Sequence, residues 1–399
     1  MIPIIQPISA GVVAAITGFA SSFVLVIAGL QAVGANDAEA ASGLLALCAL
    51  VGIICIVLPW YYKIPISFAW STPGAALLVA AGETTGNFAA AVGAFLVCGV
   101  LIVLTGLWPA LGKAITSIPK PIASAMLAGI LFPICLAPVT ASIEQPLLAI
   151  PVVVVWLVLY RLAPRWAVPA AMVVAGIGIV LTAGTDWMTA STSQPALVFV
   201  APEFDPVVIV SLGLPLFIVT MAGQNVPGFV VMSTFGYRPS PRAVLVGSGA
   251  ATAVGSVFGA HSINLAAITA ALMASPEGHP DKSKRWMATV SSGVAYLILG
   301  LGAGLATALV AASPPILIIA VAGLALLGAL VTSVSGALEE PRHRVTAIAT
   351  FLVTASGISI LGIGSAFWGL LVGGVFMAWL GWTRRPRVSS GRGGRATAG

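Results

Sequence analysis

A succession of apolar runs, separated by loops whose charges sort by sign, constrains this chain more than any single motif. The runs fall at 8–33, 43–61, 65–82, 87–112, 119–139, 147–163, 166–184, 207–233, 240–258, 262–275, 286–311, 314–334, 343–361 and 364–382. A membrane-crossing helix needs about 20 apolar residues at a rise of about 1.5 Å each, so the pattern predicts 14 spans. With an even count, both termini share a side and alternate loops fall on it. All 17 basic residues then lie on that side: Lys63, Lys113, Lys120, Arg161, Arg165, Arg238, Arg242, Lys282, Lys284, Arg285, Arg342, Arg344 and five arginines of the segment 384–399. The opposite loops hold Asp37, Glu39, Glu83, Glu144, Asp186, Glu203 and Asp205, with no Lys or Arg. Lys and Arg mark cytoplasmic loops, so both termini are expected in the cytoplasm. A miscount by one span would scramble this sorting.

Composition excludes the other broad classes. Only 7% of the 399 residues are charged and 59% are hydrophobic, against about 25% charged in a soluble globular protein. A soluble enzyme and a nucleic-acid binder are therefore excluded, and the protein is expected to sit in the lipid bilayer. The net charge of +6 follows from the loop topology rather than from a polyanionic ligand. Cys48, Cys55, Cys98 and Cys135 all lie in apolar runs without CxxC or His-rich spacing. They read as small buried apolar residues, not as disulfide or metal ligands. Walker, HExxH and GxSxG sequences and metal-ligand clusters are missing from the sequence, so neither an enzyme nor a cofactor or metal is expected. The N-terminus lacks the basic n-region of a cleavable signal peptide. The basic, Gly-rich segment 384–399 is expected to be disordered.

Transporters are often built from inverted repeats, and seven spans followed by seven fit that plan. Span 5 begins Ile118-Pro119-Lys120-Pro121-Ile122 and continues Ala125-Met126-Leu127-Ala128-Gly129-Ile130-Leu131. Span 12 begins Ser313-Pro314-Pro315-Ile316 and continues Ala320-Val321-Ala322-Gly323-Leu324-Ala325-Leu326. Copies an odd number of spans apart run in opposite directions. Spans 3 and 10 form a second pair, because polar residues fall inside both: Trp70-Ser71-Thr72-Pro73-Gly74 and His261-Ser262-Ile263-Asn264. Pro73 suits the first turn of a helix and pushes Thr72 toward extended backbone. Each of these spans is expected to be broken, with a short extended piece followed by a half-helix. Two facing half-helix N-termini would make an anion site without Arg or Lys. A proline kink without a ligand is the plainer alternative.

These stretches carry a resemblance. Trp70-Ser71-Thr72-Pro73-Gly74-Ala75-Ala76-Leu77, Met221-Ala222-Gly223-Gln224-Asn225-Val226-Pro227-Gly228-Phe229 and Phe258-Gly259-Ala260-His261-Ser262-Ile263-Asn264-Leu265-Ala266-Ala267-Ile268 resemble the benzoate/proton symporter (BenE) family over nearly the whole chain short of its tail. The resemblance implies benzoate import coupled to protons across a bacterial inner membrane, and the fold shared with uracil and sulfate/bicarbonate transporters. It implies a core domain of residues 1–112 and 207–312 (spans 1–4 and 8–11) moving against a gate domain of residues 113–206 and 313–383 (spans 5–7 and 12–14). A homodimer is implied by the resemblance alone, since glycine-rich spans also pack within one chain. In the nucleobase branch of the fold, carboxylates on spans 8 and 10 bind substrate and influence proton coupling. Here Gln224 and Ile263 stand at those places. Losing two buried negative charges suits an anionic substrate, and it removes the usual proton carriers.

The candidate substrate-binding residues are Phe19, Ser21, Ser22, Trp70, Ser71, Thr72, Pro73, Gly74, Gln224, Asn225, Phe229, Ser262, Ile263 and Asn264. Gln224 and Asn225 are adjacent amides inside span 8; they either bind a carboxylate or join helices. Ser71, Thr72, Ser262 and Asn264 are N-cap residue types, so capping competes with ligand binding for them. Ser21 and Ser22 either line the site or let span 1 pack closely. Phe19, Phe23, Trp70, Phe217 and Phe229 supply the flat apolar wall an aromatic ring prefers. His261, the one histidine expected within a span, has the titration range for proton coupling, although such a histidine is more often a hydrogen-bonded structural residue. Glu83 is the weaker proton candidate.

The expected function is secondary transport of benzoate or a similar small aromatic carboxylate. Transport of another organic or inorganic anion, and a passive anion channel, are the alternatives. The topology is testable: with an impermeant maleimide on intact cells, Asp186→Cys should label, while Ser283→Cys should label only after lysis.

Overall fold

The computed structural model describes residues 2–108, 110–112, 119–184, 196–266 and 268–382. The described chain is helical, interrupted by two short antiparallel strand pairs. In order the elements are α1 (Ile2–Ala32), α2 (Asp37–Tyr62), β1 (Phe68–Trp70), α3 (Thr72–Thr85), α4 (Phe88–Leu107), α5 (Lys120–Glu144), α6 (Pro146–Leu162), α7 (Pro164–Ala183) and α8 (Pro206–Thr234). Next come α9 (Pro241–Ser256), β2 (Ile263–Leu265), α10 (Ile268–Ala274), α11 (Trp286–Gly300), α12 (Ala303–Ala311), α13 (Pro315–Leu338), α14 (Arg344–Ala355), β3 (Ser359–Ile360), β4 (Ile363–Gly364) and α15 (Ser365–Trp382). Each apolar run meets a helix or a strand–helix pair in this order. Among the described residues, six single helices are long and apolar enough to cross a bilayer, and α11 with α12, bent by 55°, makes a seventh. Length alone therefore supports seven of the 14 expected crossings.

Local sequence sets the element ends. Asn36 caps α2, accepting from the Glu39 N–H at 3.0 Å while the Glu39 carboxylate accepts from the Asn36 N–H at 2.9 Å, a capping box that satisfies two otherwise unpaired donors. Lys63 ends the same helix in the left-handed region, with φ of 55°. Its ammonium lies 4.0 Å from the ring centre of Trp286 and 5.2 Å from that of Trp60. Glycines let helices approach closely: a Cβ on Gly52 would come within 2.8 Å of the Gly293 carbonyl, and one on Gly293 within 2.6 Å of the Gly52 carbonyl. One large apolar core runs through α1–α4, α8, α9 and the inner faces of α5 and α13, and a second joins α6 and α7 to the end of α5 and to α13.

β1 pairs with β2 antiparallel, with Phe68 opposite Leu265, Ala69 opposite Asn264 and Trp70 opposite Ile263. The ladder extends one bond each way, from the Ser71 N–H to the Ser262 carbonyl at 2.9 Å and from the Ala266 N–H to the Ser67 carbonyl at 2.8 Å. A two-stranded pair leaves its outer N–H groups unpaired, which is costly away from water. Side chains take them up. Thr252 Oγ1 accepts from the Ile263 N–H at 2.9 Å, Asn225 Oδ1 from the Leu265 N–H at 2.8 Å, and Cys55 Sγ from the Phe68 N–H at 3.3 Å.

α8 is irregular. Ile209–Gly213 and Met221–Asn225 are π-helical turns, and each is followed two residues on by a proline, Pro215 and Pro227. A proline ring collides with the carbonyl four residues back; a wider turn there relieves the collision.

Because Thr252 is buried and has no place among the candidate ligand contacts, its replacement isolates the strand pair. Thr252→Val should cost about 1–3 kcal/mol by leaving the Ile263 N–H unpaired, read as a lowered melting temperature in detergent, and Thr252→Ser should restore it.

Candidate functional site

The predicted residues of spans 3 and 10 meet where β1 runs into α3. Ser71 caps α3: its Oγ accepts from the Gly74 N–H at 3.1 Å, and Pro73 sits in the first turn. Thr220 of α8 lies between the β1–α3 and β2–α10 segments, 3.3 Å from Ser71 Oγ and 3.1 Å from Ser262 Oγ. Ser71, Thr220 and Ser262 are all fully buried. The hydroxyls therefore bind three segments together. Thr220 was not singled out from the sequence, although it stands one helical turn before Gln224 on the same face.

Capping at span 10 differs from the expectation. α10 begins at Ile268, and Ser262 and Asn264 lie before it in the extended segment. Asn264 donates to the Leu265 carbonyl at 3.0 Å, and its buried Oδ1 has no partner among the described residues. The expected pair of open helix N-termini is also thinner than the sequence suggested. In α3, Gly74 and Ala75 donate to Ser71 and Pro73 has no N–H, which leaves the Thr72 N–H.

The aromatic candidates form a cluster. Trp70 donates its indole N–H to Ser22 Oγ at 2.9 Å, and Ser21 and Ser22 each donate to the Gly18 carbonyl at 2.9 Å. Phe19 stacks on Phe23 at 4.9 Å and meets Trp70 edge-on at 6.1 Å. Tyr296 of α11, which no sequence signal marked, meets Trp70 edge-on at 5.5 Å. Its hydroxyl lies against Gly18, where a Cβ would approach it to 2.5 Å, and it has no hydrogen-bond partner among the described residues.

Burial divides the candidates. Ser22, Trp70, Ser71, Pro73, Gly74, Asn225, Ser262, Ile263 and Asn264 are buried, whereas Phe19, Ser21, Thr72, Gln224 and Phe229 are half-buried. Asn225 spends both ends of its amide internally, on the Leu265 N–H and at 3.2 Å on Met221 Sδ. Its geometry is that of a brace. Gln224, its neighbour, has no hydrogen bond among the described residues, so its amide stands open to a ligand. His261 is fully buried; its Nδ1 accepts from the Ser262 N–H at 2.7 Å, which places the ring proton on Nε2, an atom without a partner among the described residues. The Glu83 side chain lies outside the described residues.

Two cavities lie in tandem along the seam between α5 and α8. One, of about 200 Å³, joins residues 120–127 of α5 to residues 218–226 of α8. The other, of about 430 Å³, joins residues 129–134 of α5 to Ser211, to α3 and to the α14–α15 connection. Thr220 stands on α8 between Ser211 and the Ala222–Gly223 wall of the smaller cavity. The connection is tethered across the seam, since the Gly364 N–H donates to Ser211 Oγ at 2.9 Å.

Residues 4–379 match the family model described as benzoate membrane transport protein. The inner membrane protein YdcO of Escherichia coli is 41% identical over 369 residues, spanning 92% of this chain and 93% of that protein. The benzoate membrane transport protein of Acinetobacter baylyi is 30% identical over 370 residues, spanning 91% of this chain and 92% of that protein. Among solved structures, the transmembrane domain of the cyanobacterial bicarbonate transporter BicA aligns with a TM-score of 0.56 at 16% identity, over 92% of this chain and 97% of that one. Murine Slc26a9, an anion transporter in its inward-facing state, aligns with a TM-score of 0.55 at 15% identity, over 96% of this chain and 69% of that one. At these identities the structural likeness establishes the fold, that of polytopic membrane transporters.

The two adjacent amides should separate in experiment. Gln224→Ala should weaken substrate uptake and leave the melting temperature unchanged. Asn225→Ala should cost about 1–3 kcal/mol of stability through the orphaned Leu265 N–H. The reverse pattern would exchange their roles.

Proposed function

The chain belongs to the benzoate membrane transport protein family, a family of transporters rather than enzymes, and from that premise we propose that it imports benzoate or a similar small aromatic carboxylate across a bacterial inner membrane by proton symport. The observation that carries the reading is the α5–α8 seam, with one cavity along residues 218–226 of α8, spanning the level at which Thr220 ties Ser71 to Ser262, and a second further along the seam at Ser211. In this reading the substrate is held at that level. Core spans 1–4 and 8–11 carry it past gate spans 5–7 and 12–14, so that the two cavities open in turn.

The open groups near that level are neutral: the Thr72 N–H, the Gln224 amide and the Tyr296 hydroxyl. A carboxylate removed from water needs such donors, and neutral donors bind it without the desolvation cost of a buried cation. Phe19 and Phe229, half-buried, offer apolar faces to the ring. Two neighbours bear on the wider reading: the Acinetobacter relative is named for benzoate, and the structural neighbours transport anions. Proton coupling through His261 would have to work through a ring whose Nδ1 is already engaged by backbone.

Labelled benzoate uptake into proteoliposomes tests this. Accumulation above equilibrium under an inward proton gradient, collapsing with a protonophore, is the expected result. Protein-free vesicles set the baseline, because neutral benzoic acid crosses bilayers unaided. Uptake no faster than in those vesicles would overturn the benzoate reading and leave another anion on the same scaffold.

A further inference from the structure

The smaller seam cavity contains a cation that the central site lacks. Lys120 opens α5, and its ammonium is paired with the Glu339 carboxylate at the end of α13. Both partners are exposed, with 66% and 59% of their side-chain surfaces open. An exposed ion pair of this kind is worth about 0.2–1 kcal/mol, so another carboxylate can displace Glu339 at small cost. Ser124 lies one turn further along α5, on the same face as Lys120. It lines the cavity, and its hydroxyl has no partner among the described residues. The remaining wall is apolar and includes Leu127, Ile218 and Val226.

We propose that this cavity is a second carboxylate-binding station on the substrate's route, in which Lys120 and the Ser124 hydroxyl take the carboxylate and Leu127, Ile218 and Val226 take the ring. The proposal rests on the aromatic-carboxylate reading above. Its chemistry follows from the contrast between the two sites. The central site offers neutral donors, and a carboxylate entering it from water gives up hydration. Lys120 belongs to the side that the loop charges make cytoplasmic, the exit in import. A mouth there that pairs the carboxylate with an ammonium while its ring is still against apolar side chains divides the exchange between the centre and water into two steps. Glu339 supplies a resident carboxylate that reoccupies Lys120 once the substrate moves on, so the ammonium holds its ligand weakly.

Labelled benzoate transport in right-side-out and inverted membrane vesicles separates this role from a structural one. Lys120→Gln should raise KM about threefold to fivefold from the Lys120 face alone, the range an exposed charge pair supports. KM from the other face and the maximal rate should stay within twofold, and Lys120→Arg should restore KM. Glu339→Gln should move KM from the same face in the opposite direction, because it removes a competitor. If the pair were only a clasp between α5 and α13, both neutral variants would weaken transport alike from both faces and lower the melting temperature together. That outcome, or a Lys120→Gln KM within twofold of wild type on both faces, overturns the station and leaves the transport reading standing. Failure of the wild-type protein to transport benzoate from either face overturns the carboxylate reading itself.

Discussion

The six-residue strand pair between β1 and β2 is the constraint on which the rest of the arrangement depends. Lipid supplies no hydrogen bonds, so helices may break inside a membrane only where protein takes up the exposed backbone. Here the extended segments β1 and β2 take up each other's backbone through a ladder running from Ser67–Ala266 to Ser71–Ser262. Its outer edges are closed by Thr252, Asn225 and Cys55, from three different helices. Several helical segments thus converge on a ladder three residues wide, and the polar groups of the centre are positioned as a consequence.

The same economy shapes the electrostatics. A charge buried in this position would need a partner, and the partner would compete with the ligand. The centre contains hydroxyls, amides and an indole instead, and most are already committed: Ser21 and Ser22 to Gly18, Trp70 to Ser22, Asn225 to Leu265 and Ser71 to Gly74. These internal bonds fix rotamers ahead of any ligand, so the groups that stay open are presented by a rigid surround. Full charges are kept to the ends of the helices, where Lys63 lies over Trp286 and Lys120 meets Glu339.

Much of this was legible in the sequence because it depends on local chemistry. Pro73 specifies a helix start, and the structure has β1, the Ser71 cap and α3 in that order; Thr72, expected to be extended, is instead the first helical residue, and the extended piece ends at the Ser71 cap. The alternation of apolar runs located the helices. Pairing across distance was not legible. Asn264 reads as a cap because asparagine usually caps, yet it lies in a strand whose partner is almost 200 residues away, at Ala69. Asn225 and Gln224 look equivalent on paper; only the position of Leu265 makes one a brace and leaves the other open. Thr220 and Tyr296 carried no signal, since a threonine in an apolar helix and a tyrosine among glycines and leucines are ordinary until their neighbours are known.

α8 joins these elements to the seam. Its two π turns fall at the two cavities: Ser211 lies in the first and borders the larger cavity, while Ala222 and Gly223 lie in the second and border the smaller. Between them a regular stretch carries Thr220. A π turn inserts a residue without ending the helix, so it rotates the C-terminal part of the helix relative to the N-terminal part. Pro215 and Pro227 fix where the insertions sit, because a regular α-turn cannot accept the ring without losing a bond. This helix presents Ser211 to the α14–α15 connection, Thr220 to the strand pair, and Ala222 and Gly223 to α5. The small residues of the second turn keep that face shallow, and a side chain larger than alanine at either position would fill the cavity that opens there.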